Sequence, residues 1–269
     1  MTPPRSRFKI WRARNDRTPC TSDLLVNSHT AQEFIQNLNN VSPRTIRAIE
    51  WKTRGQADNA LWFKHRSYVI TGSIAHQLQN AYRKKKFNKN LQNLISKTLR
   101  VEKNFPALKW GRDCEVLARN DFIKRKKVEL TGFKFEERGL MLASGIGYLG
   151  ASVDGMFSYA KNGSMFTKLI EIKCPYSLRE KSIIENGADL YYLNEDLSLK
   201  KTCSYYSQIQ FYLWVYKLSE CILLIWCPQD FLEIEVEYDK NFCDEMMGNL
   251  CKLYKEMYAP SLFESTVDE

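Results

Sequence analysis

After Ser42-Pro43, apolar residues recur at helical spacing (Ile46, Ile49), which predicts a helix that opens on the proline and ends at Gly55. Beyond a turn-like Gly55–Asn59 comes LWFKHRSYVITGSIAHQL, where Thr71 or Ser73 can cap a helix running on through Arg83–Lys86. Trp110–Ile123 predicts another helix, with Glu115 and Arg119 one turn apart. The period then shortens. VELTGFKF, GYLGASVDGMFSY and FTKLIEIKC are β-rich and separated by Gly or Asn-Gly turns, which predicts three consecutive antiparallel strands. A helix over Thr202–Lys217, a buried strand CILLIWC, an alternating strand FLEIEVEY and a helix over Asn241–Met257 follow. The order α–βββ–α–ββ–α predicts an α/β sheet packed between helices. The first forty residues are Pro/Arg-rich and then polar, so 1–41 are expected to form a loosely attached arm and 42–269 a single domain.

Composition adds a charge argument. The 269 residues carry 40 Lys+Arg against 31 Asp+Glu, a net charge of +9, which points to a polyanionic partner or an anionic surface. From Arg83 to Lys127 there are fifteen Lys/Arg against four Asp/Glu, a net of +11, so the rest of the chain sums to −2. Two clusters dominate, Arg83-Lys84-Lys85-Lys86 and Lys124-Arg125-Lys126-Lys127. Each reads either as a solvated surface or as a set of contacts to a nucleic-acid backbone, and a nuclear-import role for one of them stays open. No uncharged stretch reaches the roughly 20 apolar residues of a spanning helix, and the basic MTPPRSRFKIWRAR has no apolar run behind it to make a signal peptide. No membrane partner is expected. The eight cysteines include no C-x-x-C pair and there are only three histidines, which argues against structural zinc. A reduced, intracellular setting is the expectation, nuclear if the host cell is eukaryotic.

The chemistry concentrates in ASVDGMF and, after a hairpin, LIEIKCP. Asp154 falls at a strand–turn junction where Gly155 permits a sharp turn. Glu171 and Lys173 are two apart on the next strand and so share a face, and an antiparallel hairpin can set Asp154 opposite them. Convergent carboxylates bind a hard divalent cation, which acidifies a water and stabilises charge on a phosphate. Lys173 would position that water or help deprotonate it. The competing reading is a plain surface salt bridge to Lys173.

These residues resemble a known family. D154…E171-I-K173-C-P looks like the PD-(D/E)XK nuclease core, specifically the lambda exonuclease / YqaJ viral recombinase branch, and is similar to viral alkaline exonucleases. TRGQADNALWFKHRSYVITGS, WGRDCEVLAR, ASVDG and YYSQIQFYLWVY resemble further blocks of that branch, in order across about 53–228. The resemblance implies a restriction-endonuclease-like core, a central mixed sheet flanked by helices. It implies a Mg²⁺-dependent enzyme (Mn²⁺ substituting) that degrades one strand of linear duplex DNA from its 5′ end and feeds strand-annealing recombination or repair. Asp154 and Glu171 would be metal ligands, with the backbone carbonyl of Ile172 the natural third, and Lys173 the catalytic lysine. Gln208 would orient the water or terminal phosphate, Glu115 would add an acidic side chain, and Arg66, Ser73 and Ser152 would line a 5′-phosphate pocket. A single-strand annealing or binding protein and a homotrimer are implied as partners.

The residue types suit these roles. Arg66 offers a planar fork for phosphate oxygens, and Ser73 lies at a helix start where free N–H groups favour an anion. Gln208 and Gln210 cannot share a helical face, so only one should reach the site. Tyr205, Tyr206, Phe211 and Trp214 read as core. Val153 stands where the family has Pro, and Gly72 where it usually has Ala, which should loosen a helix start. Cys174 is expected to pack rather than react. Two other functions stay open: a structure-selective endonuclease of the same fold, and a non-catalytic nucleic-acid-binding module.

Overall fold

The computed structural model describes residues 20–96 and 105–264. Residues 1–19 of the expected arm, and 97–104 of the basic region, lie outside the described residues. In chain order the helices are α1 (Thr21–Val26), α2 (Ala31–Asn39), α3 (Pro43–Lys52), α4 (Ala60–Arg66), α5 (Gly72–Arg83), α6 (Lys89–Ser96), α7 (Pro106–Glu129), α8 (Ile183–Asn186), α9 (Ser204–Tyr216), α10 (Lys240–Leu253) and α11 (Ala259–Glu264). The strands are β1 (Ile70–Thr71), β2 (Lys134–Glu136), β3 (Met141–Ala143), β4 (Ile146–Ala151), β5 (Gly155–Lys161), β6 (Ser164–Lys173), β7 (Glu220–Trp226) and β8 (Phe231–Glu237).

Turn chemistry fixes the central hairpin. Asn162 and Gly163 both take left-handed φ (51° and 75°), the two-residue turn whose twist matches antiparallel strands. It sets β5 against β6 from Lys161↔Ser164 to Gly155↔Ile170. The main sheet runs β2-β5-β6-β7-β8, and only β6–β7 is parallel, so the sheet is mixed. Cys221–Ile225 of β7 are all buried, as expected of a central strand covered on both faces.

The expectation of three consecutive antiparallel strands is corrected here. GYLGASVDGMFSY is not one strand: β4 leaves the main sheet and pairs with β1 and β3 in a second, three-stranded sheet. Residues 152–154 link the two sheets. The helix through the first basic cluster also stops earlier, at Arg83. Lys85 takes a left-handed φ of 51°, so Lys84–Lys86 form a turn rather than a helix face. α9 is buried nearly all round, since it packs against α5, α10, the small sheet and β7 together. No helix among the described residues is long and apolar enough to cross a membrane.

Residues 20–39 are not a loose arm. Phe34 and Leu38, one turn apart on α2, are fully buried. Phe34 meets the rings of Tyr68 and Phe263 at 6.2 and 6.4 Å. Gly147 of β4 passes so close to α2 that a Cβ there would sit 1.9 Å from the Leu38 carbonyl oxygen. Phe34→Ala should therefore cost about 3–5 kcal/mol in urea unfolding. A loosely attached arm would instead leave stability within about 0.5 kcal/mol of wild type.

Candidate active site

The hairpin register carries Asp154 and Glu171 to one place. With Gly155 paired to Ile170, Asp154 falls at the next step, and its Oδ2 accepts a hydrogen bond from the Ile172 N–H at 2.7 Å. Glu171 is 2% exposed. Its Oε1 accepts from Lys173 Nζ at 2.5 Å and from Gln208 Nε2 at 2.7 Å, while Oε2 is buried with no partner among the described residues. From α7, Glu115 approaches the same centre, held at 2.6 Å by Arg119, which also binds Glu137. The two-residue spacing of Glu171 and Lys173 does place them on one face. Gln208 reaches the site, whereas Gln210 turns away to the Glu237 carbonyl and the Asp239 N–H.

These carboxyls oppose one another in a dry setting. Burial, then the neighbouring Glu171, pushes the Asp154 carboxyl up to about 7. Burial raises Glu171 too, against the pull of Lys173, and burial and Asp154 raise Glu115. For Lys173, burial works against the charge, but Glu171 and Asp154 outweigh it and hold the proton above the ordinary lysine range. No group of three or more His, Cys, Asp or Glu side chains among the described residues is arranged to hold a metal. Two carboxylates with a partnerless buried oxygen between them nevertheless fit a hard cation that takes its other ligands from main-chain oxygen and water.

A second group of residues adjoins this centre. The Arg66 guanidinium lies 3.9 Å from the Trp62 ring centroid and donates to Thr71 Oγ1 at 2.9 Å and Ser73 Oγ at 3.4 Å. Trp62 Nε1 in turn donates to Ser152 Oγ at 2.8 Å. Arg66, Ser73 and Ser152 thus come together, with Trp62 as the link. Thr71 precedes α5 but makes no side-chain capping bond; its oxygen receives Arg66 instead. Burial lowers the Arg66 guanidinium to about 10, and among the described residues it is in no ion pair.

The basic clusters divide. Arg83 pairs with Glu245, Arg125 with Asp121 and Glu233, and Lys126 with Glu129 and Glu233. Lys84, Lys85, Lys86, Lys124 and Lys127 are exposed and in no ion pair among the described residues. Tyr206 and Phe211 are core, as expected. Tyr205 is not: its ring lies 4.9 Å from Lys173 Nζ, at the edge of a groove of about 510 Å³ that Glu115, Tyr176 and Tyr191 also line. Cys174 is half-buried, and burial pushes its thiol up to about 12, which leaves it inert.

Sequence reasoning missed three residues of this region. Gln56, at a left-handed φ of 42°, donates from Nε2 to the carbonyls of Arg138 and Val153 and so pins the segment that carries Asp154. Its place in TRGQ was the available signal. Trp62 joins Arg66 to Ser152, and Tyr212 bonds Gln208 at 2.6 Å. Gly72 does not merely loosen a helix start, because a Cβ there would fall 2.6 Å from the Tyr212 ring.

A mixed sheet with Asp154, Glu171 and Lys173 converging at a hairpin edge defines a PD-(D/E)XK nuclease core. The chain belongs to the YqaJ-like viral recombinase domain family, whose model matches residues 61–219. No curated protein matches the sequence. Among solved structures it is similar to the alkaline exonuclease LHK-Exo from Laribacter hongkongensis, at 20% identity, 76% of this chain, 96% of that one and a TM-score of 0.51. It is also similar to SOX in a DNA complex (11%, 88% and 74%, TM-score 0.51) and to KSHV SOX in an RNA complex (11%, 88% and 77%, TM-score 0.56). These likenesses establish the alkaline exonuclease/SOX fold, and family and fold together support a DNA exonuclease.

The raised Asp154 carboxyl has a stability consequence. A carboxyl whose folded value lies above its unfolded value of about 3.8 loses its contribution as pH rises through the folded value. Asp154→Asn removes that ionisation and keeps an oxygen for the Ile172 N–H. In EDTA the variant should gain stability over wild type as pH climbs from about 4 to about 7 and hold the gain above that. Urea unfolding at pH 5 and pH 8 reads the difference; an equal offset at both would show that Asp154 is not strained by its ionisation.

Proposed function

We propose that the protein is a metal-dependent 5′→3′ exonuclease acting on one strand of linear duplex DNA at a 5′-phosphorylated end. The observation that carries the reading is Arg66. Arg54, Arg119 and Arg138 pair with carboxylates, whereas Arg66, in no ion pair among the described residues, is turned to two hydroxyls and an indole beside the acidic centre. A guanidinium kept free of carboxylates next to Ser73 and Ser152 suits a phosphate. An endonuclease would gain nothing from gripping an end.

Asp154, Glu171 and the main-chain oxygen of Ile172 would hold Mg²⁺, with Mn²⁺ able to substitute. When bound, such a cation supplies an acidified water and stabilises charge at the scissile phosphate. Lys173 brings a full positive charge to the same place, where phosphoryl oxygens gain charge in the transition state. Gln208 fixes Glu171 through Oε1, and Glu115, held by Arg119, adds a further carboxyl beside Asp154. Arg66, Ser73 and Ser152 take the terminal phosphate, which carries about one more negative charge than an internal diester near neutral pH. Gripping it aligns the next diester over the carboxylates, a positioning effect on rate. By the family resemblance, the product strand would pass to a single-strand annealing or binding protein, and the chain would assemble as a trimer.

Digestion of end-labelled duplexes tests this directly. Wild type should degrade linear DNA in Mg²⁺, stop in EDTA, spare closed circles and prefer 5′-phosphate to 5′-hydroxyl ends. Lys173→Ala should abolish cleavage while duplex binding persists. Arg66→Ala should shrink the end preference by roughly ten- to a hundredfold, the scale of a lost charge-assisted hydrogen bond. Cutting of closed circles as fast as linear duplex would replace this reading with the endonuclease one.

The exposed lysines give a separate outcome. Neutralising Lys84–Lys86 should flatten the slope of log affinity against log salt by about 0.9 for each phosphate that the variant no longer neutralises. Neutralising Arg125, already shared by two carboxylates, should change stability more than that slope. An unchanged slope for Lys84–Lys86 would return them to the solvated surface.

A further inference from the structure

Tyr212 lies one turn beyond Gln208 on α9 and is 4% exposed. Its hydroxyl oxygen accepts from Gln208 Nε2 at 2.6 Å, and the same amide nitrogen donates to Glu171 at 2.7 Å. The hydroxyl's own hydrogen has no acceptor among the described residues. A buried donor left over in this way ordinarily costs free energy, so its retention calls for a partner.

The ring's other side shows where that partner would be. A Cβ on Gly72 would fall 2.6 Å from Tyr212 Cε1, the ring carbon next to the one that bears the hydroxyl. Gly72 is the first residue of α5, adjacent to Ser73, whose hydroxyl Arg66 holds. The amino end of this twelve-residue helix has no side-chain cap. The phenol is therefore wedged between the Gln208–Glu171 pair and the amino end of α5. Glycine at 72 admits it, since any side chain there would displace the ring.

We propose that Tyr212 is a further substrate-binding residue of this site, one that donates its O–H to the terminal 5′-phosphate held by Arg66 and Ser73 and so sets the preference for a phosphorylated end. The inference rests on the exonuclease reading and deepens it. Because the same hydroxyl accepts from Gln208, the grip on the end and the placing of Glu171 share one hydrogen-bonded chain. Burial, then Glu171 and Asp154, push the phenol well above the ordinary tyrosine range, so it remains a donor throughout neutral and alkaline pH.

The test is kcat/KM on linear duplexes with 5′-phosphate and with 5′-hydroxyl ends, for wild type, Tyr212→Phe and Gly72→Ala. Tyr212→Phe keeps the ring and should lower the phosphate-to-hydroxyl ratio about tenfold or more. Gly72→Ala leaves every donor in the sequence but unseats the ring, and should lower the same ratio. A purely structural role, or one confined to supporting Gln208, would lower both rates together and leave the ratio intact; that result overturns the inference. A preference that wild type shows and Tyr212→Phe retains overturns it while the exonuclease reading stands. Wild-type indifference to the end group removes both.

Discussion

Two carboxyls forced together out of water are the constraint around which this molecule is arranged. Asp154 and Glu171 sit at the same end of one hairpin; burial and Glu171 raise the cost of ionising Asp154, burial and Glu115 raise that of Glu171, and Glu171 Oε2 has no hydrogen-bond partner among the described residues. An unsatisfied buried acceptor alone costs about 1–3 kcal/mol. Such an arrangement persists only where the surrounding structure over-determines it. Here the Asn162-Gly163 turn fixes the register, the Ile172 N–H holds Asp154, and Lys173 and Gln208 share Glu171 Oε1. The strain is local and the scaffold around it is ordinary core, so stability can be given up at this one place without losing the fold.

The same constraint explains the second sheet. Residues 152–154 leave β4 and enter β5, so Ser152, beside Trp62 and Arg66, and Asp154, beside Glu171, are only two residues apart in the chain. Gln56 clamps Val153 between them. The Arg66–Trp62–Ser152 group and the acidic centre are thus fixed to one another by covalent chain as well as by packing. α9 closes the gap from the other side. It presents Gln208 and Tyr212, one turn apart, to the site, while Gln210 is used up on the main chain around β8. A helix buried nearly all round can hold Gln208 and Gln210 because each amide has specific partners.

How much of this was legible follows from what kind of signal each part leaves. The hairpin and its face were readable, since Asn-Gly marks the turn and a spacing of two puts Glu171 and Lys173 on one side. The break between β4 and β5 was not, because GYLGASVDGMFSY reads as one β-rich run through the point where the chain changes sheets. Residues 20–41 misled through averaging. Their polar composition hides Phe34 and Leu38, and two core positions one turn apart suffice to dock a short helix. Tyr212 left no trace at all, because its meaning depends on Gly72, 140 positions away in the sequence.

Charge shows the same limit most clearly. A count along the chain treats Arg83–Lys86 and Lys124–Lys127 as equals. In space, Arg83 meets Glu245, while Arg125 and Lys126 share Glu233, partners more than a hundred residues distant. What remains in no ion pair among the described residues is narrower: Lys84, Lys85 and Lys86 beyond the carboxyl end of α5, and Lys124 and Lys127 on α7. The amino end of α5 bears Ser73 and faces Arg66, so its twelve residues separate that contact from the lysine turn by about 18 Å at 1.5 Å per residue. That is roughly five base-pair steps of duplex at 3.4 Å each. On the proposed exonuclease reading, a single rigid helix thus spaces the residues that would grip a 5′ end from the lysines that would follow the backbone.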